Sequence, residues 1–118
     1  MGAYPIGFPS ASLQLATTPG DVLYTCPAGA HARLDKLTFL NTTSTGRTVT
    51  VHVVRSGGSI ADNNQVVSAA SVPAEGTAPD GKEAYIPEGL VLNPGDFVQA
   101  FASAGSAITP MGAVTEFT

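Results

Sequence analysis

RTVTVHVVR at residues 47–55 and NPGDFVQAFA at residues 93–102 are the two stretches that decide the fold of this chain. The first alternates β-branched side chains, and the second runs from a Pro-Gly turn signal directly into an apolar segment. Residues 21–26 and 31–41 have the same β-rich character and are followed by turns that contain Gly or Pro. Short strands at this spacing predict an all-β protein: a single, jelly-roll-like antiparallel β-sandwich of about eight strands.

The alternation within residues 47–55 predicts a half-buried strand with one face toward the core and one toward solvent. The two faces would be Val49, Val51 and Val53 on the core side, and Thr48, Thr50 and His52 on the solvent side. The five residues that end at Gly46 suit a hairpin, so we expect this strand to pair with residues 31–41.

Residues 31–41 do not alternate cleanly. Leu37 and Phe39 share one face of a regular strand, whereas Leu34 and Leu40 fall on the other. Two interpretations follow: both faces of the strand are covered, or a β-bulge near Asp35-Lys36 shifts the register.

Residues 1–10 form a distinct segment, in which Tyr4, Ile6 and Phe8 alternate with Pro or Gly. Two prolines at this spacing exclude a helix and a central strand. We predict an extended N-terminal arm over residues 1–10, followed by the sandwich domain over residues 11–118. The apolar side of the arm would lie either on its own sandwich or on a neighbouring subunit.

The secondary structure of three segments between the arm and the C-terminal third is predicted from the order of their apolar, polar and turn-forming residues. The alternation of Ser12–Thr17 predicts a first strand. Residues 66–72 favour a strand, with a helical turn capped by Asp62 or Asn63 as the alternative. The Gly, Pro and Asp content of residues 75–81 indicates an exposed loop.

The C-terminal third is predicted to be strands separated by turns. Short strands are expected at residues 83–86 and 90–92. The strand at 97–102 is apolar on both faces except at Gln99, which indicates a central position. The last strand, at 107–118, contains Pro110, which places at least its start at a sheet edge.

The composition is unusually poor in charge for a chain of 118 residues, since only 12% are charged and the net charge is −4. Surfaces depleted in Lys and Glu are typical of subunits that lie against neighbours. The sequence offers no basic patch for nucleic acid, no membrane-spanning run and no signal peptide at its start, so synthesis in a cytoplasm is expected.

The titratable residues do not make a recognisable catalytic or metal-binding motif. His31 and His52 lie on different predicted strands, and both are expected at the surface. Cys26, the single cysteine, is expected to be a small buried side chain. We therefore predict no enzymatic activity and no catalytic, cofactor-binding or metal-binding residues.

Four segments together carry a family resemblance: LYTCPAG at 23–29, LTFLN at 37–41, RTVTVHVV at 47–54 and IPEGLVLNPGD at 86–96. Their order and character resemble the small β-sandwich structural proteins of tailed bacteriophages, which decorate heads and also occur among tail and fibre components. The segments are turn and strand signatures, so they identify the scaffold better than the place in the virion.

The resemblance implies a non-enzymatic decoration (cement) protein that binds the major capsid protein of the assembled shell and stabilises it. It implies a homo-oligomer, with a trimer favoured, located on the virion surface and made in the host cytoplasm. A tail, baseplate or fibre-associated subunit is the alternative, and a carbohydrate-binding sandwich is less favoured. Tyr4, Ile6 and Phe8 are the candidate interface residues, and Ile60–Gly81 is a second candidate contact region.

Overall fold

A computed structural model describes residues 2–74, 82–83 and 89–118, with the backbone alone at 82–83. Two antiparallel sheets pack face to face, which confirms the all-β sandwich. The strands are β1 (Ala3–Phe8), β2 (Asp21–Thr25), β3 (His31–Asn41), β4 (Arg47–Val54), β5 (Gln65–Val72), β6 (Lys82–Glu83), β7 (Leu90–Leu92), β8 (Phe97–Ala102) and β9 (Ile108–Phe117).

Sheet A has the order β1-β9-β3, with β6 and β7 side by side along the far edge of β3, and sheet B has the order β2-β8-β4-β5. The chain therefore pairs β1 with β9, β2 with β8, β3 with β7 and β4 with β5. This nested pairing of early strands with late ones is the jelly-roll topology, to which β6 adds a two-residue extension.

The core lies between the sheets and is built from the inward-facing positions of the long strands. β8 shows the pattern most simply, because its residues alternate between buried and half-buried along its whole length. The largest fully buried side chains are Phe39, Leu15, Leu34, Leu92, Ile108, Val49, Val51, Val54, Val72, Val98 and Val114.

A β-bulge in β3 resolves the irregular pattern of that strand. Its pairing with β9 shifts between Leu34 and Lys36, so Asp35 is an extra residue with no partner on β9. Leu34 and Leu37 consequently both face the core, whereas Leu40 is exposed on the outer face. The bulge interpretation is confirmed near the predicted position.

The predicted hairpin between β3 and β4 is wrong, because the two strands lie in different sheets. Asn41, which is fully buried at the end of β3, organises the crossing. Its Nδ2 donates to the carbonyl oxygens of Thr45 (2.7 Å) and Val72 (3.2 Å), and its Oδ1 accepts from the backbone N–H of Thr43 (2.9 Å). These bonds satisfy backbone polar groups in the loop through which the chain passes from one sheet to the other.

The prediction that β4 has one exposed face is also wrong, since Val49 to Val54 are all buried. Residues 55–64 fold back over the outer face of β4, and β5 bulges across it as well. Ala69, at a positive φ of 46°, donates its backbone N–H to the Thr50 hydroxyl at 3.1 Å. Sheet B therefore covers part of its own outer face.

Residues 12–17 alternate in burial but do not form the predicted strand. Leu15, fully buried, donates its N–H to the carbonyl oxygen of Ile108 in sheet A at 2.8 Å. Its neighbour Ala16 accepts from the N–H of Ala102 in sheet B at 3.0 Å. The segment bridges the two sheets, and a chain that alternates between partners in two sheets cannot extend a ladder in either.

The predicted N-terminal arm lies on its own sandwich as β1, an edge strand of sheet A. Gly2 and Thr118 exchange both backbone hydrogen bonds, so by ladder alternation the N–H groups of Ala3 and Gly7 point to the free edge. Pro5 occupies the matching position between them, where its missing N–H costs no ladder bond.

Pro110 in β9 follows the same rule. It lies beyond Gly112, where the pairing of β9 with β1 stops, and its β1-facing side has no partner strand. Its other side still pairs with Phe39 of β3. The prediction that Pro110 marks the start of this strand as an edge is confirmed.

Most of the remaining strand predictions are confirmed: β5 covers residues 66–72, β7 covers 90–92, and β8 is central in sheet B. The predicted helical turn is a 3-10 turn at Asp62–Asn64, with Ala61 rather than Asp62 or Asn63 at its N-cap. The predicted loop at 75–81 and most of the predicted strand at 83–86 lie outside the described residues. Within the described part, no helix is long and apolar enough to cross a membrane.

Candidate functional site

The three candidate interface residues share one side of β1 but differ in exposure. Phe8 is 4% exposed and packs against Tyr24, with ring centroids 5.7 Å apart. Tyr4 is 54% exposed and Ile6 is 36% exposed, although both face the same way as Phe8. Phe8 is thus part of the core, whereas Tyr4 and Ile6 form an apolar rim at the open side of the sandwich. We call these two residues the β1 rim.

Asp96 is a buried ionised residue that links two loops, and only 2% of it is exposed. Its carboxylate accepts hydrogen bonds from the Arg55 guanidinium (2.5 Å), the Ser56 backbone N–H (2.9 Å) and the Asn93 backbone N–H (2.9 Å). It therefore ties the end of β4 to the turn between β7 and β8. Gly95 in that turn has a φ of +87°, which suits the Pro-Gly signal in the sequence.

The pKa of Asp96 reflects two opposed effects. Burial acts to raise the pKa of its carboxyl group, but the hydrogen bonds from Asn93, Arg55 and Ser56 outweigh it, so the pKa is lowered. The carboxylate is held ionised by donors that all belong to the scaffold. Asp96 is thus occupied in holding loops together, which is a structural role.

His52 was predicted at the surface, and this is wrong: the residue is 4% exposed. Its Nδ1 lies 2.7 Å from Oδ1 of Asn64 in the 3-10 turn, and its ring stacks on Phe101 at 6.1 Å. Since an amide oxygen only accepts, Nδ1 carries the proton in this contact. No signal near His52 indicated its burial, because the residue that covers it, Asn64, lies twelve positions further along the chain. His31, by contrast, is exposed as predicted.

Tyr24 and Glu116 form a polar pair that crosses from sheet B to sheet A. The Tyr24 hydroxyl donates to Oε2 of Glu116 at 2.6 Å, and burial together with this carboxylate raises the pKa of Tyr24. Cys26, buried as predicted, has a pKa raised first by burial and then by Glu116. A thiol with a raised pKa is a poor nucleophile at neutral pH, so this group suits packing better than chemistry.

The outer face of sheet A carries the largest group of exposed apolar side chains. By register, four large ones point outward from it: Leu40 of β3, Val91 of β7, and Met111 and Phe117 of β9. The positions between and beside them carry small residues, Ala3, Pro5 and Gly7 of β1 and Ala113 of β9, and threonines, Thr38 of β3 and Thr109 and Thr115 of β9. We call this set of residues the sheet A face.

Among the side chains that the structure describes, three charged ones, Arg33, Asp35 and Lys36, also belong to the sheet A face. Arg33 lies over the Phe117 ring, 5.6 Å from its centroid, and its Nε donates to Oδ1 of Asp35 at 2.9 Å. The Thr115 hydroxyl donates to the other Asp35 oxygen at 2.6 Å, and these bonds, that of Thr115 first, lower the pKa of Asp35. Lys36, exposed beside Asp35, makes no ion pair with any residue that the structure describes.

An open groove of about 950 Å³ lies where β1 ends, between residues 9–14 and the start of β9. Its lining is hydroxyl, amide and apolar, with Ser12, Gln14 and Thr109 among the polar members. Gln14 donates to the Thr42 hydroxyl at 2.9 Å, so part of this polarity is used internally.

Residues 2–74 and 89–118 contain no candidate metal site, because no three of their His, Cys, Asp and Glu side chains lie close enough together to bind one ion. The second predicted contact region, Ile60–Gly81, is described only to Ala74. Its described part forms the 3-10 turn and β5, the edge strand of sheet B.

Comparison with known proteins does not place the chain. No family model matches it, and no curated protein and no solved structure is significantly similar.

Proposed function

We propose that this chain is a non-enzymatic structural subunit of a tailed-bacteriophage virion, which binds the assembled capsid surface and stabilises the shell. The family resemblance motivates this proposal, and the jelly-roll scaffold is compatible with it. The observation that carries it is the use of the polar groups. Asp96, His52, Tyr24 and Glu116 all bind partners within the scaffold, while large apolar side chains are left exposed on two surfaces.

In this proposal the β1 rim contacts the major capsid protein. Tyr4 and Ile6 are held by a paired strand, so burying them against a partner requires little new ordering of the backbone. The rim also sits at an open side of the sandwich, where a protruding feature of another protein can reach it. A subunit that binds only the assembled shell stabilises that shell by mass action.

The first test is the copy number of the chain in purified virions, measured by quantitative mass spectrometry against the major capsid protein. Decoration of the head lattice predicts a ratio near unity. A few copies per particle would move the protein to the tail, baseplate or fibres, and its absence from virions would refute the proposal.

The second test is binding to shells that lack the protein. We expect the double variant Tyr4→Ser/Ile6→Ser to lose binding while remaining folded, because both side chains are exposed. Val22→Ser is the matched control, since Val22 is equally exposed but lies on the outer face of sheet B. Equal binding by the double variant and the control would exclude the β1 rim as the contact.

A further inference from the structure

The two outer faces of the sandwich differ in how far other parts of the chain cover them. The outer face of sheet B is covered in part: Gly58 lies near Val54, Asn64 contacts His52, and Ala69 in the bulge of β5 contacts Thr50. The sheet A face has no such cover among the described residues, and Met111 at its centre line is 66% exposed. In the part of the chain that the structure describes, a domain with little charge thus leaves this sheet face exposed.

We propose that the sheet A face is the contact between two copies of this chain, which stack face to face about a two-fold axis. The proposal does not rest on the virion function: it concerns only how the protein associates with itself. It also departs from the trimer that the family resemblance implies.

The charge pattern favours a second copy as the occupant. Asp35 and Lys36 are adjacent at the bulge, near the middle of the face, and they carry opposite charges. Asp35 already accepts hydrogen bonds from Arg33 and Thr115, whereas Lys36 has no ion pair among the described residues, so Lys36 is the charge that the Asp35 of a second copy would neutralise. A two-fold axis that lies in the contact plane, crosses the strands and passes between Asp35 and Lys36 brings each Lys36 against the partner's Asp35. The same patch is therefore complementary to itself, which is what an isologous contact requires.

The shape of the face favours the same occupant. Ala113 lies opposite Lys36, and Pro5 and Gly7 of β1 continue this stretch of small residues toward the sheet edge. Small side chains let two sheets approach to about 10 Å, the usual distance in a sandwich. Larger apolar side chains on either side, Met111 and Phe117 among them, would then interdigitate with those of the second copy.

The area fits a reversible contact. With strands about 4.8 Å apart and a rise of about 3.4 Å per residue, the four strands of the face offer roughly 500 Å² of flat area on each copy. The pair would bury roughly 1,000 Å², which is about the least that a specific interface buries. We therefore expect a dimer that dissociates on dilution.

Sedimentation velocity of the full chain over a range of concentrations tests the proposal. We expect a monomer–dimer equilibrium, and we expect Met111→Lys to raise its dissociation constant about tenfold or more. Val22→Lys, on the outer face of sheet B, is the matched control and should leave the equilibrium unchanged. Lys36→Glu should weaken the dimer in low salt and less so in high salt, because it sets like charges against each other.

Three outcomes would overturn the proposal. One is a chain that stays monomeric at high concentration. Another is a trimer, or a dimer that Met111→Lys and Lys36→Glu leave intact. The third is a monomer whose binding to viral shells is lost in Met111→Lys, which would assign the face to the shell. Circular dichroism of each variant confirms that the sandwich is intact before the results are compared.

Discussion

At the scale of single residues, three buried polar groups hold the loops and sheets together. Asp96 joins the end of β4 to the turn before β8, Tyr24 joins sheet B to Glu116 in sheet A, and Asn41 supports the crossing after β3. Each is satisfied by several partners or by a charged one, which is the condition under which a buried polar group stabilises a fold. Their loss should be felt in stability.

Asp96→Asn should lower the free energy of unfolding by about 3 kcal/mol, because an uncharged amide cannot accept all three bonds that the carboxylate accepts. Arg55→Met is the matched control. The Arg55 side chain is 61% exposed, so its removal should cost less than the loss of the carboxylate. Urea unfolding at neutral pH measures both, and equal losses would contradict the central role given to Asp96.

The lowered pKa of Asp96 also predicts how stability depends on pH. An unfolded Asp has a pKa of about 3.9, and the folded value lies below it, so the unfolded chain binds the proton first. The contribution is complete above the unfolded pKa and is lost as the pH falls toward the folded one. Unfolding followed between neutral and acid pH should show a shallower loss in Asp96→Asn than in the parent. Some loss remains there, because the pKa of Asp35 is lowered too.

Tyr24→Phe should cost about 2 kcal/mol, since it removes a hydroxyl that donates to a carboxylate and leaves Glu116 without that donor. Tyr4→Phe makes the same chemical change at an exposed site in sheet A and should change the melting temperature little. If thermal unfolding shows the two variants to be alike, the Tyr24–Glu116 bond contributes nothing measurable.

At the scale of elements, the sequence predicted where strands lie better than how they pair. The strands at 47–55, 90–92 and 97–102 carry their signal in adjacent residues, so their positions are confirmed within a residue or so. Pairing depends on residues far apart in the chain, and the loop after β3 suits a hairpin as well as a crossing between sheets. The hairpin prediction failed for that reason.

The candidate site shows the same division. The sequence singled out Tyr4, Ile6 and Phe8 as one apolar side, and the structure places them on one side of β1. It could not separate buried Phe8 from the exposed pair, because Phe8 is covered by Tyr24, which belongs to the other sheet. Burial of His52 was missed likewise, since its cover comes from the turn at Asp62–Asn64.

The turn before β2 offers a test of tight packing. Gly20 has a φ of +81°, and a Cβ there would overlap the carbonyl oxygen of Ala100 in β8. Gly29 has nearly the same φ, +80°, but faces open space. Gly29→Ala should therefore cost about 1 kcal/mol from backbone strain alone. Gly20→Ala should cost about 3 kcal/mol or more in chemical denaturation, because strain and overlap combine. Similar costs for both would show that the turn can move away from β8.

Deleting residues 2–10 tests whether β1 is an integral strand. The deletion removes every β1–β9 hydrogen bond together with Phe8 from the core, so we expect loss of the cooperative unfolding transition. Tyr4→Ser/Ile6→Ser, which changes only exposed side chains, should retain that transition. A deletion variant that unfolds like the parent would show that β1 is not an integral strand of the sandwich.

At the scale of the whole molecule, three surfaces of the sandwich differ in burial and in the side chains that they expose. Part of the outer face of sheet B is buried, and the β1 rim is exposed at an open side of the sandwich. The sheet A face exposes large apolar side chains around the charges of Arg33, Asp35 and Lys36. The β1 rim and the sheet A face lie on opposite sides of β1, so one molecule can present them to two different partners. Double variants that combine Met111→Lys with Tyr4→Ser/Ile6→Ser should therefore show additive losses of dimer and of shell binding.

The edge strands of the two sheets have a further consequence for how the protein behaves in a crowded cell. β1 lacks a donor at Pro5, β2 and β5 are broken by irregular register, and β6 and β7 are only two and three residues long. Amyloid growth needs a long, regular edge strand with which the backbone of the next chain can pair, and none of these described edge strands is long and regular. A chain expressed in large amounts can thus accumulate as separate folded molecules, and its encounters are left to faces and side chains rather than to backbones.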